Sequence, residues 1–497
     1  MASAGRPRTP SDRDLLDQAL SRAADAPPVT GNGIRLLRNS AENYPAWLDA
    51  IRSARRTVYF ESYIIRADEA GAMFADALAA KAREGVRVRV IYDWLGDAGR
   101  TPRRYWRSLG RAGVAVRCFN PPQLASPFGW LHRDHRKSLT VDGGITFVSG
   151  LCVGQPWIGD PQRGIEPWRD TGVEVRGPAA RSVEEAFARA WAAAGPPIPH
   201  DERASSGGGE SAGRVALRVV ATEPFTAGVL RLDQIMAAAA RRTLWLTDAY
   251  FVGTPPYVHA LCSAARDGVD VRLLVPGGSD IPILRPLSQA GYRPLLEAGV
   301  RVFEWMGSML HAKSAVVDER WARVGSSNLN LASWLGNWEL DVAVDDAAFA
   351  RAMERMYVDD LANATEIVLG TTRRRARGGA RRRPVSDAGG GSAGRIAAGA
   401  LRLGNAAGAM ITERRALGPA EAQLAATMGA VLLAIALVAV LWPRVIALPL
   451  TLLVTWIGGA MLAKAYALRR RRRAVGAPAA RVIVSPATAT SAGSRTS

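Results

Sequence analysis

Two eight-residue stretches, HRKSLTVD at 135–142 and HAKSAVVD at 311–318, share the skeleton H-x-K-x-x-x-x-D and use two of the five histidines in a 497-residue chain. The recurrence is not isolated. TVYFESYII (57–65), GAMFADALAAKAREG (71–85), VRVRVIYD (86–93) and GVAVRCF (113–119) precede the first copy. TLWLTDAYF (243–251), YVHALCSAARDG (257–268), VDVRLLVP (269–276) and GVRVFEW (299–305) precede the second, in the same order. Runs rich in β-branched and aromatic residues alternate with helix-spaced runs that stop at Gly85 and Gly268, which predicts strand–helix–strand units. A chain that repeats this order is constrained to an α/β fold built from two like halves. The first half carries a longer approach to its histidine, NPPQLASPFGWLHRD, and HDERASSGGGESAG (200–213) predicts a linker between the halves.

On a strand, positions i and i+2 project from one face. His135 and Lys137 therefore point together, as do His311 and Lys313. An imidazole beside an ammonium suits an anionic centre such as phosphate. A neutral imidazole can attack phosphorus while a protonated one donates to the leaving oxygen. One histidine cannot do both in a single step; two halves that pack with their motifs facing can. A lone H-x-K-x-x-x-x-D is more often an ordinary strand, but two matched copies in a repeat reverse that weighting. The three cysteines (Cys118, Cys152, Cys262) are scattered without a CxxC pair, so a disulfide framework is not expected. No cluster has metal-ligand spacing, so neither a metal nor another cofactor is expected.

Charge separates the body from the tail. The net charge of +19 divides into +2 over residues 1–370 and +17 over 371–497. A near-neutral body lacks the basic face that nucleic acid requires, so no nucleic-acid partner is expected. Residues 422–443 and 445–463 are uncharged, each close to the roughly 20 residues that cross a hydrocarbon core. They predict a tight transmembrane or re-entrant helical hairpin around Pro443 and Arg444. Arg373, Arg374, Arg375, Arg377 and Arg381 to Arg383 lie before it, and Arg469 to Arg473 directly after it. The positive-inside rule then puts both flanks and the body in the cytoplasm, against anionic lipid. The N-terminal residues have no apolar run of the kind a secretory leader needs.

In these motifs the chain resembles the phospholipase D superfamily with its two "HKD" motifs, over roughly residues 30–365. GVRVRVIYDWLG, WRDTGVEVRGPA, VRLLVPGGSD, AGVRVFEW and VGSSNLNLASWLGNWEL carry the resemblance further, and their order is most like bacterial cardiolipin synthases of the phospholipase D type. The resemblance implies transfer through a phosphohistidine, with His135 as nucleophile, His311 as acid/base, and Lys137 and Lys313 neutralising the phosphoryl oxygens. Asp142 and Asp318 complete the two motifs and more readily brace the turn after the strand than touch substrate. Asp170 in WRDT and Glu339 in NWEL match the family's orienting acids, each some thirty positions downstream of its histidine. Ser326 and Asn328 in GSSN would bind phosphoryl oxygens, with Asn337 lining the site. The first half departs from the pattern, with SGLC (149–152) in place of GSSN, which implies a lopsided grip on phosphate. Glu61 and Asp248, each two residues before a tyrosine, either line the cleft or are repeat-level structural groups. Trp130, Trp334 and Trp338 are candidates to dip into the membrane interface.

The expected architecture is two pseudo-symmetric phospholipase D-like α/β/α domains sharing one active site, plus a C-terminal transmembrane helical hairpin. The divisions are a disordered 1–28, domains at 29–199 and 214–370 joined by 200–213, a basic linker with interfacial-helix composition at 371–421, the hairpin at 422–463 and a basic cytoplasmic tail at 464–497. The implied substrates are phospholipids at an anionic bacterial cytoplasmic membrane, the oligomeric state being left open. Transfer to a second phospholipid (phosphatidylglycerol above all) is the first reading and hydrolysis of phospholipid the second. A nucleic-acid phosphodiesterase and a non-catalytic lipid scaffold rank below these.

Overall fold

The computed structural model describes residues 12–122, 131–200, 202, 209–281, 284–369, 429–430, 433–434 and 436–474. Seven strands belong to the first half: β1 (Val29–Arg38), β2 (Thr57–Ser62), β3 (Arg87–Asp93), β4 (Ala115–Phe119), β5 (Lys137–Val141), β6 (Ile145–Ser149) and β7 (Thr171–Arg176). The second half supplies β8 (Val215–Thr222), β9 (Thr243–Thr247), β10 (Asp270–Pro276), β11 (Arg301–Trp305), β12 (Ser314–Val317), β13 (Trp321–Gly325), β14 (Glu339–Asp345) and β15 (Ala364–Ile367). They form one sheet in the order β15-β11-β10-β9-β12-β13-β14-β8-β1-β7-β6-β5-β2-β3-β4. Read outward from the β1–β8 seam, the two halves run in the same order, with β15 added at one edge. Within each half the strands that the sequence reading placed first are parallel (β2–β3–β4, β9–β10–β11), and the strand after each motif histidine returns antiparallel on β2 or β9.

The local reasons are those of the pattern. All six residues of β2 are buried, so its β-branched and aromatic side chains are covered on both faces. The helix Glu69–Arg83 starts two residues before its apolar run because the Asp68 carboxylate accepts the Gly71 N–H at 3.0 Å. Gly85 and Gly268 sit at φ +88° and +93° just past their helices, the left-handed geometry that ends a helix most readily at glycine. Trp47, Phe60 and Phe74 fill the first half, and Leu246, Leu273 and Leu295 the second. A third core joins them, with Val148, Val173 and Val175 packed against Val316, Val324, Leu340 and Val342. The halves therefore share apolar surface directly behind the strands that carry the motifs.

Two expectations need correcting. Disorder through residue 28 fails at the helix Asp12–Ala24, whose Leu20 and Ala24 are buried in the second-half core. Arg218 donates to Asp17 and Arg13 to Asp345, which fasten the helix at its polar edge. The segment 200–213 is not free at every described point. Glu202 is buried, accepts from Tyr59 and Arg89, and Ala212 N–H donates to Gly31. Residues 1–11, Trp130, the linker 371–421 and the tail beyond 474 lie outside the described residues.

A second compact unit includes residues 435–497. Its helix Pro443–Ala474 contains the second uncharged run and continues through Arg469 to Arg473, and the described positions of 436–441 are helical up to a break at Trp442. Among the described residues no helix is long and apolar enough to cross a membrane.

Candidate active site

His135 and His311 lie two and three residues before their strands, β5 and β12, and the other half holds their backbone. His135 N–H donates to the Trp338 carbonyl at 2.9 Å, and Trp338 N–H donates to Arg133 at 2.8 Å. His311 N–H donates to the Arg169 carbonyl at 2.7 Å, and Arg169 N–H donates to Met309 at 2.9 Å. The side chains repeat the exchange. His135 Nδ1 lies 3.0 Å from both carboxylate oxygens of Glu339, which belongs to the second half. His311 Nδ1 lies 2.7 Å from Oδ2 of Asp170, which belongs to the first. An ionised carboxylate can only accept, so each imidazole carries its hydrogen on Nδ1 and presents an unprotonated Nε2.

Lys137 and Lys313 are buried beside the histidines, each donating to the carbonyl of its own motif histidine, and Lys313 Nζ lies 2.9 Å from His311 Nδ1. Tyr63 and Tyr250 stand edge-on to His135 and His311, with ring centroids 5.0 and 5.8 Å apart, and each also lies under the lysine of its half. The two tyrosines border a cavity of about 780 Å³ that both histidines, Cys152, Asn328 and Asn337 also line.

Burial dominates the electrostatics. It lowers His135 to about 4, with Lys137 pushing the same way against Glu339. It lowers His311 to about 3, reinforced by Lys313 against Asp170. Lys313 falls to about 8 through burial and Lys137, opposed by Asp170, and burial lowers Lys137 as well. Burial works against the Asp170 carboxylate too, but His311, Lys313 and the Trp157 N–H hold it at about 2. At neutral pH the site thus holds two neutral imidazoles, two carboxylates and a cationic Lys313, while burial works against the charge of Lys137.

The two acids are supported differently. Ser326 Oγ donates to Glu339 Oε2 at 2.6 Å and accepts from Leu340 N–H at 2.9 Å, while Asn337 donates to Glu339 Oε1 at 3.2 Å. The place of Ser326 in the first half is taken by Gly150, where a Cβ would stand 2.1 Å from Asp170 Oδ1. Serine cannot occupy that position, and the missing donor is replaced by Trp157, whose Nε1–H reaches Asp170 Oδ2 at 3.0 Å. Trp157 and Trp168 also pack on the His311 ring. The sequence reading missed both tryptophans. The signal was the SGLC departure itself, because a half without the serine needs another donor for its acid.

Not every expected site residue reaches the cavity. Ser326 serves Glu339, its hydroxyl committed on both sides, while Asn337 donates to Glu339 and also lines the cavity. Asn328 does line the cavity, and its buried amide oxygen has no hydrogen-bond partner among the described residues. Asp142 and Asp318, grouped with the motif residues, sit at the far end of β5 and β12 from the histidines. The Asp142 carboxylate accepts the N–H groups of Arg55, Arg56 and Thr57 at 2.7–2.8 Å. Asp318 accepts those of Arg241, Arg242 and Thr243 at 2.7–2.9 Å. Both brace turns. Glu61 and Asp248 are fully buried, Glu61 accepting from Ser138 and Asp248 from the N–H groups of Tyr250 and Leu329, so the structural alternative is the one realised. Trp334 is wholly buried and cannot reach an interface.

A duplicated α/β unit whose two H-x-K pairs share one cleft defines a phospholipase D-like protein. The family model described as "Cardiolipin synthase, PLD-like domain" matches residues 47–155 and 232–360. The chain is 35% identical over 363 residues to cardiolipin synthase A of Pseudomonas fluorescens, covering 70% of this chain and 73% of that one. It is 32% identical over 371 residues to cardiolipin synthase of Halalkalibacterium halodurans, covering 73% of each. The solved phosphatidylserine synthase of Haemophilus influenzae superposes with a TM-score of 0.55 at 15% identity, covering 71% of this chain and 92% of that one, and so shares the fold. The chain belongs to the cardiolipin synthase family of phospholipase D-like proteins.

Proposed function

We propose that this protein is a membrane-associated phosphatidyltransferase that moves a phosphatidyl group from one phospholipid to another, phosphatidylglycerol serving as donor and acceptor. The observation that carries the reading is the crossed pairing, His135 with Glu339 and His311 with Asp170, around one cavity. Each half supplies the acid that orients the other half's histidine, so neither half holds a complete site.

His135 Nε2 attacks the donor's phosphorus, and the bond to the headgroup oxygen breaks. His311, protonated on Nε2, gives that proton to the departing glycerol, leaving a phosphatidyl group on His135. The hydroxyl of the second phospholipid then returns a proton to His311 as its oxygen bonds to phosphorus and the P–N bond breaks. Lys137, Lys313 and the Asn328 amide face the phosphoryl oxygens, fixed charge and donors placed where negative charge accumulates. Burial keeps both histidines neutral in the empty site. The phosphodiester anion opposes that effect and brings one proton in with the substrate.

The C-terminal region attaches the enzyme to the bilayer. Leu433, Val440, Val445, Leu452, Met461 and Leu462 are each 60% or more exposed, an apolar surface that water does not favour. With the flanking arginines, it supports a hairpin at 422–463 in the bacterial cytoplasmic membrane, the catalytic body on the cytoplasmic side. The test is purified full-length protein with vesicles of phosphatidylglycerol alone. Cardiolipin and free glycerol in equal amounts are expected. Phosphatidic acid with glycerol would identify a hydrolase, and no turnover would sink the reading.

A further inference from the structure

The cavity walls break the symmetry that the catalytic centre keeps. On the first-half side the wall carries Arg66 and Arg100; on the second-half side it carries Asp280, which accepts from the Tyr250 hydroxyl at 2.8 Å. Aligning Tyr63 with Tyr250, and the end of β3 with that of β10, places Arg66 opposite Gly253 and Arg100 opposite Ile283. The two arginines are therefore additions to the repeat, not parts of it.

Arg66 is built in. Its N–H donates to Val153 at 3.0 Å beside the bridge between Ile65 and Val153, one residue beyond Cys152. Its stem crosses Gly154, where a Cβ would come within 2.9 Å of Arg66 Cγ. The guanidinium reaches the Asp97 carbonyl at 3.4 Å. The neighbouring carboxylates are engaged elsewhere: Asp68 accepts the N–H groups of Gly71 and Gln155, and Asp97 that of Thr101. Among the described residues neither Arg66 nor Arg100 forms an ion pair. Burial, with Arg100 second, pushes Arg66 below its ordinary range, against the opposing pull of Asp97 and Asp68. Two guanidinium groups that share a wall without an ion pair repel each other, and an anion removes that penalty. Guanidinium pairs suit phosphate because each offers a planar, two-pronged donor set.

The reacting phosphodiester already has Lys137, Lys313 and Asn328. Transfer to water or a small alcohol needs no further anion site. Transfer to a phospholipid does, because the attacking hydroxyl comes attached to a second phosphodiester one headgroup away. We infer that Arg66 and Arg100 form a second anion subsite, which takes the phosphodiester of the acceptor phospholipid and sets its hydroxyl toward the centre. This inference rests on the phosphatidyl transfer proposed above.

The test uses full-length wild type, Arg66→Gln, Arg100→Gln and the double variant on phosphatidylglycerol vesicles containing ethanol, with cardiolipin and phosphatidylethanol measured together. The two products arise from the same donor and differ only in acceptor. The expected result is a cardiolipin-to-phosphatidylethanol ratio at least tenfold lower in the double variant, partly restored by Arg66→Lys with Arg100→Lys. An unchanged ratio, whether both products fall together or neither falls, overturns the subsite. Variants that lose both products are checked by thermal unfolding, and a folded but wholly inactive protein assigns the arginines to the donor instead. Wild type that makes phosphatidylethanol without cardiolipin overturns the proposed function itself, a result visible before any variant is compared.

Discussion

At the scale of single residues, the site distributes one chemistry over two unequal histidines. Glu339 is held by a serine and an asparagine, Asp170 by a tryptophan beside a glycine that leaves it room. The assignment of His135 as nucleophile predicts a separable phenotype. With a phosphatidyl ester of p-nitrophenol, whose leaving group needs no proton, His311→Gln should release a stoichiometric burst and retain a phosphatidyl group on His135. His135→Gln should give no burst. On phosphatidylglycerol both variants should lose on the order of 10²–10⁴-fold in rate, the usual contribution of a positioned acid or base. A burst from His135→Gln would reverse the roles. The proton accounting gives a second prediction. His135 and His311 are depressed to about 4 and 3 in the empty site, so both are unprotonated at pH 6–7, and a bound tetrahedral oxyanion raises one of them. Binding of tungstate should therefore take up a proton and weaken as pH rises, visible as a calorimetric heat that depends on the buffer's ionisation enthalpy. A heat independent of buffer would contradict substrate-linked protonation. Stability depends on pH in the opposite sense: the unfolded chain binds protons to these histidines below about 6.5 and the native chain does not. Their contribution is present above that pH and is lost as pH falls toward 4 and 3.

At the scale of elements, the two motif aspartates define what the third letter of the motif does. Each collects three backbone N–H groups where a strand passes to its turn, in a residue at φ +51° (Asp142) or +53° (Asp318). Asp142→Ala and Asp318→Ala should each destabilise the fold by about 1–3 kcal/mol, the penalty of leaving donors unpaired. Their activity per folded molecule should stay close to wild type. A large fall in turnover with no change in unfolding midpoint would return these residues to the catalytic set. The strand–helix–strand order was readable because its side-chain periods are local. The helix Asp12–Ala24 was not, because its apolar face is short and is stabilised by a core that lies some two hundred residues away in sequence.

At the scale of the whole molecule, the charge sits in the tail: the body is near neutral and residues 371–497 carry +17. Replacing Arg469 to Arg473 by glutamine should weaken attachment to anionic vesicles, by about 1 kcal/mol for each residue that reaches the surface, with little effect on neutral vesicles. Co-sedimentation at several salt concentrations measures this. Equal binding to both vesicle types before and after the change would remove the tail from lipid contact.

The sequence by itself determined the two-half α/β plan, the paired histidines and lysines, and the two orienting acids, because repeats and strand periodicity act over short spans. Only the tertiary structure decided which acid serves which histidine. That pairing crosses the halves, and nothing in the spacing from His135 to Asp170 or from His311 to Glu339 encodes it. The same holds for Trp157 in place of a serine, for Ser326 turning to Glu339 and not to phosphate, and for Arg66 and Arg100 on one wall of the cavity. Each depends on what packing brings within a few ångströms, and hydrogen bonds and ion pairs act over that distance regardless of separation along the chain.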